Sequence, residues 1–345
     1  VVEPCYGDDV FCAYRAKHIV INIENKMRDI ADGRADNSTL VKPRMKVAMG
    51  IKHRRSNLLP YLLVLPILLY EGVFIISPIV QGIYGSFTSL ELASNKPQVW
   101  VGLANYARMF DDPEFWQSLK VTLIFTGLVI IIALGAGLLT ALLFNRPFRF
   151  RPAARALLMI PWAFPEVPVV MIFIWILNPQ FGVINVLARL IPGVNENPQW
   201  LQVPELAMAW VVLIASWKAF PFYSLVMLAA LQSVSQELYD AAKVDGANTF
   251  QLFRNITMPG IATTLELLVV LASIFSLKQF SIIFLMTGGG PVGATETIVM
   301  RIYNAAFRFY DYSYAAAMGV AGFLISLIIA IVFIILQARR AKEYA

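Results

Sequence analysis

Six long apolar runs divide this chain, and they limit its folds more than any other feature. They fall at roughly 58–86, 118–143, 155–177, 205–231, 261–286 and 313–337. About 20 apolar residues suffice for a helix to cross a bilayer. Backbone groups in lipid must be paired within the segment, so each run is expected to be a helix. Only 14% of the 345 residues are charged, well below the quarter usual in soluble domains. The fold class is therefore an all-α membrane protein with six transmembrane helices. Pro66 and Pro78 lie inside the first run and are expected to kink it.

The net charge of +6 does not point to nucleic acid, because the basic residues cluster at the ends of apolar runs. Lys52, Arg54 and Arg55 precede the first run. Arg146, Arg149, Arg151 and Arg155 separate the second from the third, and Arg339, Arg340 and Lys342 follow the sixth. The alternate loops carry Asp111, Asp112, Glu114 and Glu196. The positive-inside rule then places both termini, and the loop after the fourth run, in the cytoplasm.

That loop is polar where its flanks are apolar. In "LYDAAKVDGANTF", Leu238, Ala241, Ala242 and Asp245 recur at helical spacing and share a face. Gly246 suits the left-handed residue that ends a helix. Ser233 with Gln236 forms a capping-box pattern, with Ser235 as a rival N-cap, and Asn248 with Gln251 forms a second. Pro259 marks the start of the fifth span. The expectation is a cytoplasmic helix-turn-helix over 233–260, with small residues for close approach and Leu238 as an anchor.

Asp240-Ala241-Ala242, Gly246, Ile256 and Met258-Pro259 resemble the "EAA" motif of permease subunits of ATP-binding-cassette (ABC) importers. Asp240 stands for Glu and Met258 for Leu, keeping charge and bulk. "VGLANYARMFDDPEFW", "PWAFPEVP", "LNPQFGVIN", "SWKAFPF" and "LMTGGGP" resemble the maltose-type sugar permeases. The resemblance runs from about 58 to 342, a six-helix permease domain with the loop at 233–260 inside it. It implies that Leu238, Asp240, Ala241, Ala242, Asp245, Gly246, Ile256 and Pro259 couple the chain to an ATPase. It implies that Lys218, Ala219, Phe222, Phe275, Ser276 and Gln279 line the sugar path. Ordinary bundle packing is the competing reading for Phe222 and Phe275.

The implied partners are a second permease subunit, two ATPase subunits, an extracytoplasmic substrate-binding protein, the lipid bilayer and a sugar. No nucleic acid is expected. The chain has no G-x-x-x-x-G-K-[ST] loop, so ATP and Mg are expected on the partner ATPases. No cofactor, metal or catalytic residue is assigned to this chain. An ion-coupled secondary transporter is the alternative, but it usually shows internal repeats, and none is evident.

Glu71, Glu166, Lys218, Glu266 and Lys278 lie within or near the runs. Each would cost about 2.5–3.5 kcal/mol facing lipid, so a cavity or a partner is expected for each. Glu166, beside Pro165 and Pro168, fits a structural polar contact. Lys218 and Lys278 leave the charge of the substrate open. Residues 1–57 carry no span. They are expected to be a cytoplasmic tail or an upstream extension, with Met45 as the better natural start.

Overall fold

A computed structural model describes residues 58–90, 97–190 and 196–343. The expectations for residues 1–57 lie outside the described residues. Helix α1 (Leu58–Glu71) passes through a π-helical turn (Gly72–Ile76) into α2 (Ser77–Ser86). Pro66 sits inside α1 and Pro78 in the first turn of α2. A two-residue antiparallel pair follows, β1 (Thr88–Ser89) with β2 (Val99–Trp100), then α3 (Ala104–Asp111). Next come α4 (Pro113–Asn145), α5 (Arg151–Leu158), α6 (Ile160–Ala163), α7 (Glu166–Ile176) and α8 (Ile184–Ala188). After them run α9 (Pro204–Ser233), α10 (Gln236–Val244) and α11 (Thr249–Leu252). A π-helical turn (Phe253–Thr257) leads into α12 (Met258–Leu277), and α13 (Ser281–Met286) and α14 (Ile298–Tyr303) follow. A last π-helical turn (Asn304–Arg308) precedes α15 (Tyr312–Glu343).

Among the described residues, five helical stretches are long and apolar enough to cross a membrane: Tyr61–Ser86, Pro113–Asn145, Pro204–Ser233, Thr249–Leu277 and Tyr312–Ile335. Two expected spans need correction. The third is a bent pair, Arg151–Ala163 and Glu166–Ile176, with 89° between its halves. Its cause lies in "PWAFPEVP". Phe164 precedes a proline and is driven to extended backbone, and it adopts φ −67°, ψ 140°. Pro165 and Pro168 have no N–H to continue the ladder. The fifth span begins at Thr249 and stops at Leu277, not at 286. The polar pair Lys278-Gln279 falls at the break, and α13 is a separate short helix.

The core forms where α4 and α9 lie side by side. A Cβ on Gly137 would stand 3.1 Å from Tyr223 Cβ and 3.2 Å from the Ser224 nitrogen, so any larger residue would push the two helices apart by a few tenths of an ångström. One turn on, Thr140 Oγ1 donates to Ser224 Oγ at 2.7 Å. Membrane helices have no hydrophobic drive towards one another, and small residues with buried hydroxyl contacts supply the packing. Phe125, Val129, Ala133, Met227, Leu231, Leu268, Ile283 and Met300 complete this buried cluster. A second cluster joins Met109, Phe115, Ile298, Tyr314 and Met318. Along α2 only the last turn is buried, where Gly85 lies against Tyr312 of α15.

Candidate functional site

The bend in the third span frees backbone carbonyls, and these organise a cavity. In an unbroken helix the Phe164 carbonyl would accept from residue 168, but Pro168 has no donor. Lys218 fills the role from the middle of α9: Nζ donates to Phe164 O at 2.6 Å and to Trp162 O at 3.4 Å. Of the two structural alternatives for this lysine, its hydrogen bonds go to backbone carbonyls rather than to a carboxylate.

The cavity beside it measures about 420 Å³. Lys218, Ala219 and Phe222 form one wall, and Phe275 and Gln279 of the α12 end form the other. Trp162 stacks on Phe222, with ring centroids 6.0 Å apart and planes 18° apart, and Phe222 meets Tyr223 edge-on. Phe275 is half exposed. The expected residues thus share one wall system, except Ser276. Residues four apart share a helix face, as Phe275 and Gln279 do, whereas adjacent residues do not. Ser276 is buried on the neighbouring face and does not line the cavity.

Trp162, Glu166, Ala215, Tyr223 and Ile282 also line the cavity and were not assigned to it from the sequence. Trp162 supplies an aromatic face, and Glu166 lines the cavity at the helix break. The proline pattern of "PWAFPEVP" held the signal, because a broken helix turns its flanking side chains inward. Lys278 is exposed at the end of α12 and lines a different, apolar groove. The cavity therefore holds one lysine and one glutamate, not two lysines.

The second candidate region is the loop at 233–260. Ser235, not Ser233, caps α10: its Oγ accepts from the Glu237 amide at 3.3 Å. Ser233 Oγ instead donates back to Ala230 O at 2.8 Å, inside the last turn of α9. Gly246 ends α10 in the left-handed region, with φ +83°. The Gly246 amide donates to Lys243 O and the Ala247 amide to Ala242 O, which pairs carbonyls the helix end would leave free. Asn248 and Gln251 form the reciprocal capping box at 2.9 and 2.8 Å. Tyr239 Oη meets Thr257 Oγ1 at 3.1 Å and ties the inner side of α10 to the π-helical turn.

This bracing turns the other side outward. Leu238, Asp240, Ala241, Asp245 and Gly246 are exposed, Ala242 and Ile256 are partly buried, and Pro259 is exposed. Leu238, Val244 and Phe250 keep 55%, 89% and 68% of their surface accessible, far more apolar exposure than a closed polar loop needs. Gln236 and Lys243 each donate to Asp240 Oδ1 at 3.2 Å and hold its carboxyl below the usual range. Gly260 at the root is a further residue the sequence did not flag: a Cβ there would lie 2.8 Å from Val234 Cγ2. "TGGGP" forms a glycine-rich turn after α13, with Gly288 and Gly289 at positive φ.

The cavity at the broken helix and the exposed, capped helical pair are the two features to set beside known proteins. Residues 133–342 match the family of binding-protein-dependent transport system inner membrane components. The chain belongs to this family. It is 37% identical to the sulfoquinovosyl glycerol transport system permease protein SmoG of Agrobacterium fabrum, over 84% of this chain and 92% of that one. It is 34% identical to the trehalose/maltose transport system permease protein MalF of Thermococcus litoralis, over 82% and 95%. Among solved structures, a chain of a bacterial alginate ABC transporter in complex with alginate pentasaccharide-bound periplasmic protein superposes with TM-score 0.70. It is 26% identical and is covered over 95% of its length, against 82% of this chain. The chain is a permease subunit of an ABC importer, and the ion-coupled alternative has no support.

Proposed function

We propose that this chain forms one half of the translocation path of an ATP-driven importer of a sugar or sugar derivative. The observation that carries the reading is the cavity at the helix break. Stacked Trp162 and Phe222 with half-exposed Phe275 offer aromatic faces to a sugar ring, and Glu166, Lys218 and Gln279 offer polar groups around them. Pockets that bind small solutes pair apolar walls with a few placed polar groups. The Lys218 ammonium is already held by two carbonyls, and Glu166 lines the same cavity, which favours a hydroxyl-rich, uncharged ring over an anion.

A second permease subunit closes the path, an extracytoplasmic binding protein delivers the sugar, and two ATPase subunits grip the loops at 233–260. ATP and Mg reside on those ATPases. Both termini and the α10–α11 loop face the cytoplasm in this reading, which the distribution of arginine and lysine supports. The transport step is alternating access, with ATP binding favouring one of two conformations of the helical bundle.

The test is sugar uptake into vesicles holding the complete transporter. ATP-dependent, binding-protein-dependent uptake is expected. Uptake driven by an ion gradient without ATP would overturn the reading. Lys218→Ala should lower uptake while the complex stays assembled with its ATPase. Unchanged uptake would remove Lys218 from the path.

A further inference from the structure

A cavity of about 830 Å³ lies at the root of the α10–α11 loop. Its position relative to the bilayer follows from two helices. The apolar run of α4 ends at Phe144, and that of α9 ends at Leu231, one residue before Gln232. Leu142 and Leu231 line the floor of the cavity at this depth, and Phe253 and Leu252 extend it. Arg146 and Lys243 also line it beyond the apolar level, and Lys243 is shared with exposed Asp240 at 3.2 Å. Both basic residues are exposed. After Arg146, exposed Phe148 and Phe150 flank exposed Arg149, whose guanidinium lies 6.0 Å from the Phe150 ring centre.

We propose that this cavity binds an anionic phospholipid of the leaflet on the loop's side. The phosphate would sit between Arg146 and Lys243, with the upper acyl chain against Leu142 and Leu231. The depth profile is that of a lipid: apolar floor at the hydrocarbon edge, cations at the headgroup level. The flanking Arg and Phe residues are those of segments that lie in an anionic membrane surface. A soluble anion would have no use for the apolar floor, and a neutral lipid none for the paired cations. The bound lipid would wedge between the end of α4 and the helix pair, where bilayer composition can reach the loop.

The experiment uses the complete transporter, in bilayer discs of phosphatidylcholine with and without phosphatidylglycerol. Lipids that stay bound through purification are measured by native mass spectrometry. Wild type should retain phosphatidylglycerol in preference to phosphatidylcholine. Each basic residue near an anionic surface is worth about a fivefold gain in binding, so the double variant Arg146→Gln/Lys243→Gln should lose about 25-fold. Arg146→Lys should keep the preference, which separates a lost charge from a damaged fold. Arg189→Gln at the other end of the bundle should change nothing. Three outcomes each overturn the proposal: equal retention of both lipids by wild type, undiminished preference in the double variant, or displacement by inorganic phosphate. So would cross-linking of Arg146→Cys to the ATPase subunit in place of a lipid, because the ATPase would then fill the cavity.

Discussion

The two ends of this bundle are stabilised in opposite ways. At the end opposite the α10–α11 loop, Arg301 is nearly buried and contacts three carboxylates, Asp112 at 3.0 Å, Glu114 at 2.5 Å and Glu296 at 3.8 Å. Tyr314 Oη donates to the same Asp112 oxygen at 2.5 Å. Arg108 pairs with Asp311 and lies 4.2 Å over the Tyr314 ring centre. This network ties the start of α4 to α14 and α15. At the loop end, the ion pair between Lys243 and Asp240 is exposed on both sides and spans three residues of one helix. Water and salt screen such a pair, so it adds little to stability. Caps, a left-handed glycine and one Tyr–Thr hydrogen bond do the remaining work there. The far end is cross-linked to the bundle through side chains from distant parts of the chain. The loop is ordered by contacts among its own neighbouring residues.

The strongest way to break this contrast is Arg301→Met. Three carboxylates would lose their shared cation in a partly buried site, and breaking such a cluster costs about 3–5 kcal/mol. The variant should melt well below wild type in detergent, and Arg301→Met/Asp112→Asn should recover part of the loss. If Arg301→Met melts normally, the network contributes nothing to stability and the contrast fails. The loop itself should stay folded in this variant until the bundle unfolds.

Acid sharpens the same comparison. Burial opposes ionisation of Asp112, but hydrogen bonds from Tyr314, Arg301 and the Glu114 amide outweigh it and hold its carboxyl below the usual carboxylate range. A carboxylate depressed on folding stabilises the native state fully above its unfolded value, and the contribution is lost as pH falls through the folded one. The far end should therefore lose stability only below about pH 4. Asp240 is also depressed, yet it is fully exposed, so its protonation should leave the melting temperature unchanged. Asp112→Asn should flatten the acid limb of stability, and Asp240→Asn should not.

At the loop the larger perturbation is Gly246→Val. No atom lies within 4 Å of the Cβ position, so the side chain meets no clash. The penalty is the backbone alone: φ +83° is strained for a β-branched residue, by about 1–3 kcal/mol. The bundle should melt as wild type, while sugar uptake falls and the ATPase is released or hydrolyses ATP without transport. Full uptake with normal ATPase retention would show that the tight turn is dispensable.

Much of this contrast was legible in the sequence, for local reasons. Apolar length marks spans because lipid leaves the backbone no alternative to helix. Gly246 and the Asn248–Gln251 box were legible because capping depends on neighbours within a few residues. What was missed depends on distant partners. The roles of Trp162 and Glu166 depend on where α9 and α12 lie against the helix break. Gly137 and Gly260 matter because of Tyr223 and Val234, far away in sequence. Ser233 was a plausible cap by spacing, but the continuation of α9 through it takes its hydroxyl into the preceding turn. The network around Arg301 joins residues up to 202 apart, and no local pattern announces it.

The smallest expected effect isolates the difference between the ends at a shared device. Both Asp112 and Asn248 are helix N-caps, each accepting from a backbone amide at 2.9 Å. Asp112 also serves Arg301 and Tyr314, so removing it disturbs the far end beyond its cap. Asn248 serves only the capping box of the four-residue α11, which contains no buried residue. Asn248→Ala should thus cost the cap alone, about 1 kcal/mol. That cost should appear as faster hydrogen exchange at the Gln251 amide and a modest fall in ATPase retention, with no change in melting. Asn248→Ser keeps an acceptor and should behave as wild type. A drop in melting temperature for Asn248→Ala as large as that for Asp112→Ala would mean that the loop is as firmly built into the bundle as the far end, and that it moves only when the whole molecule does.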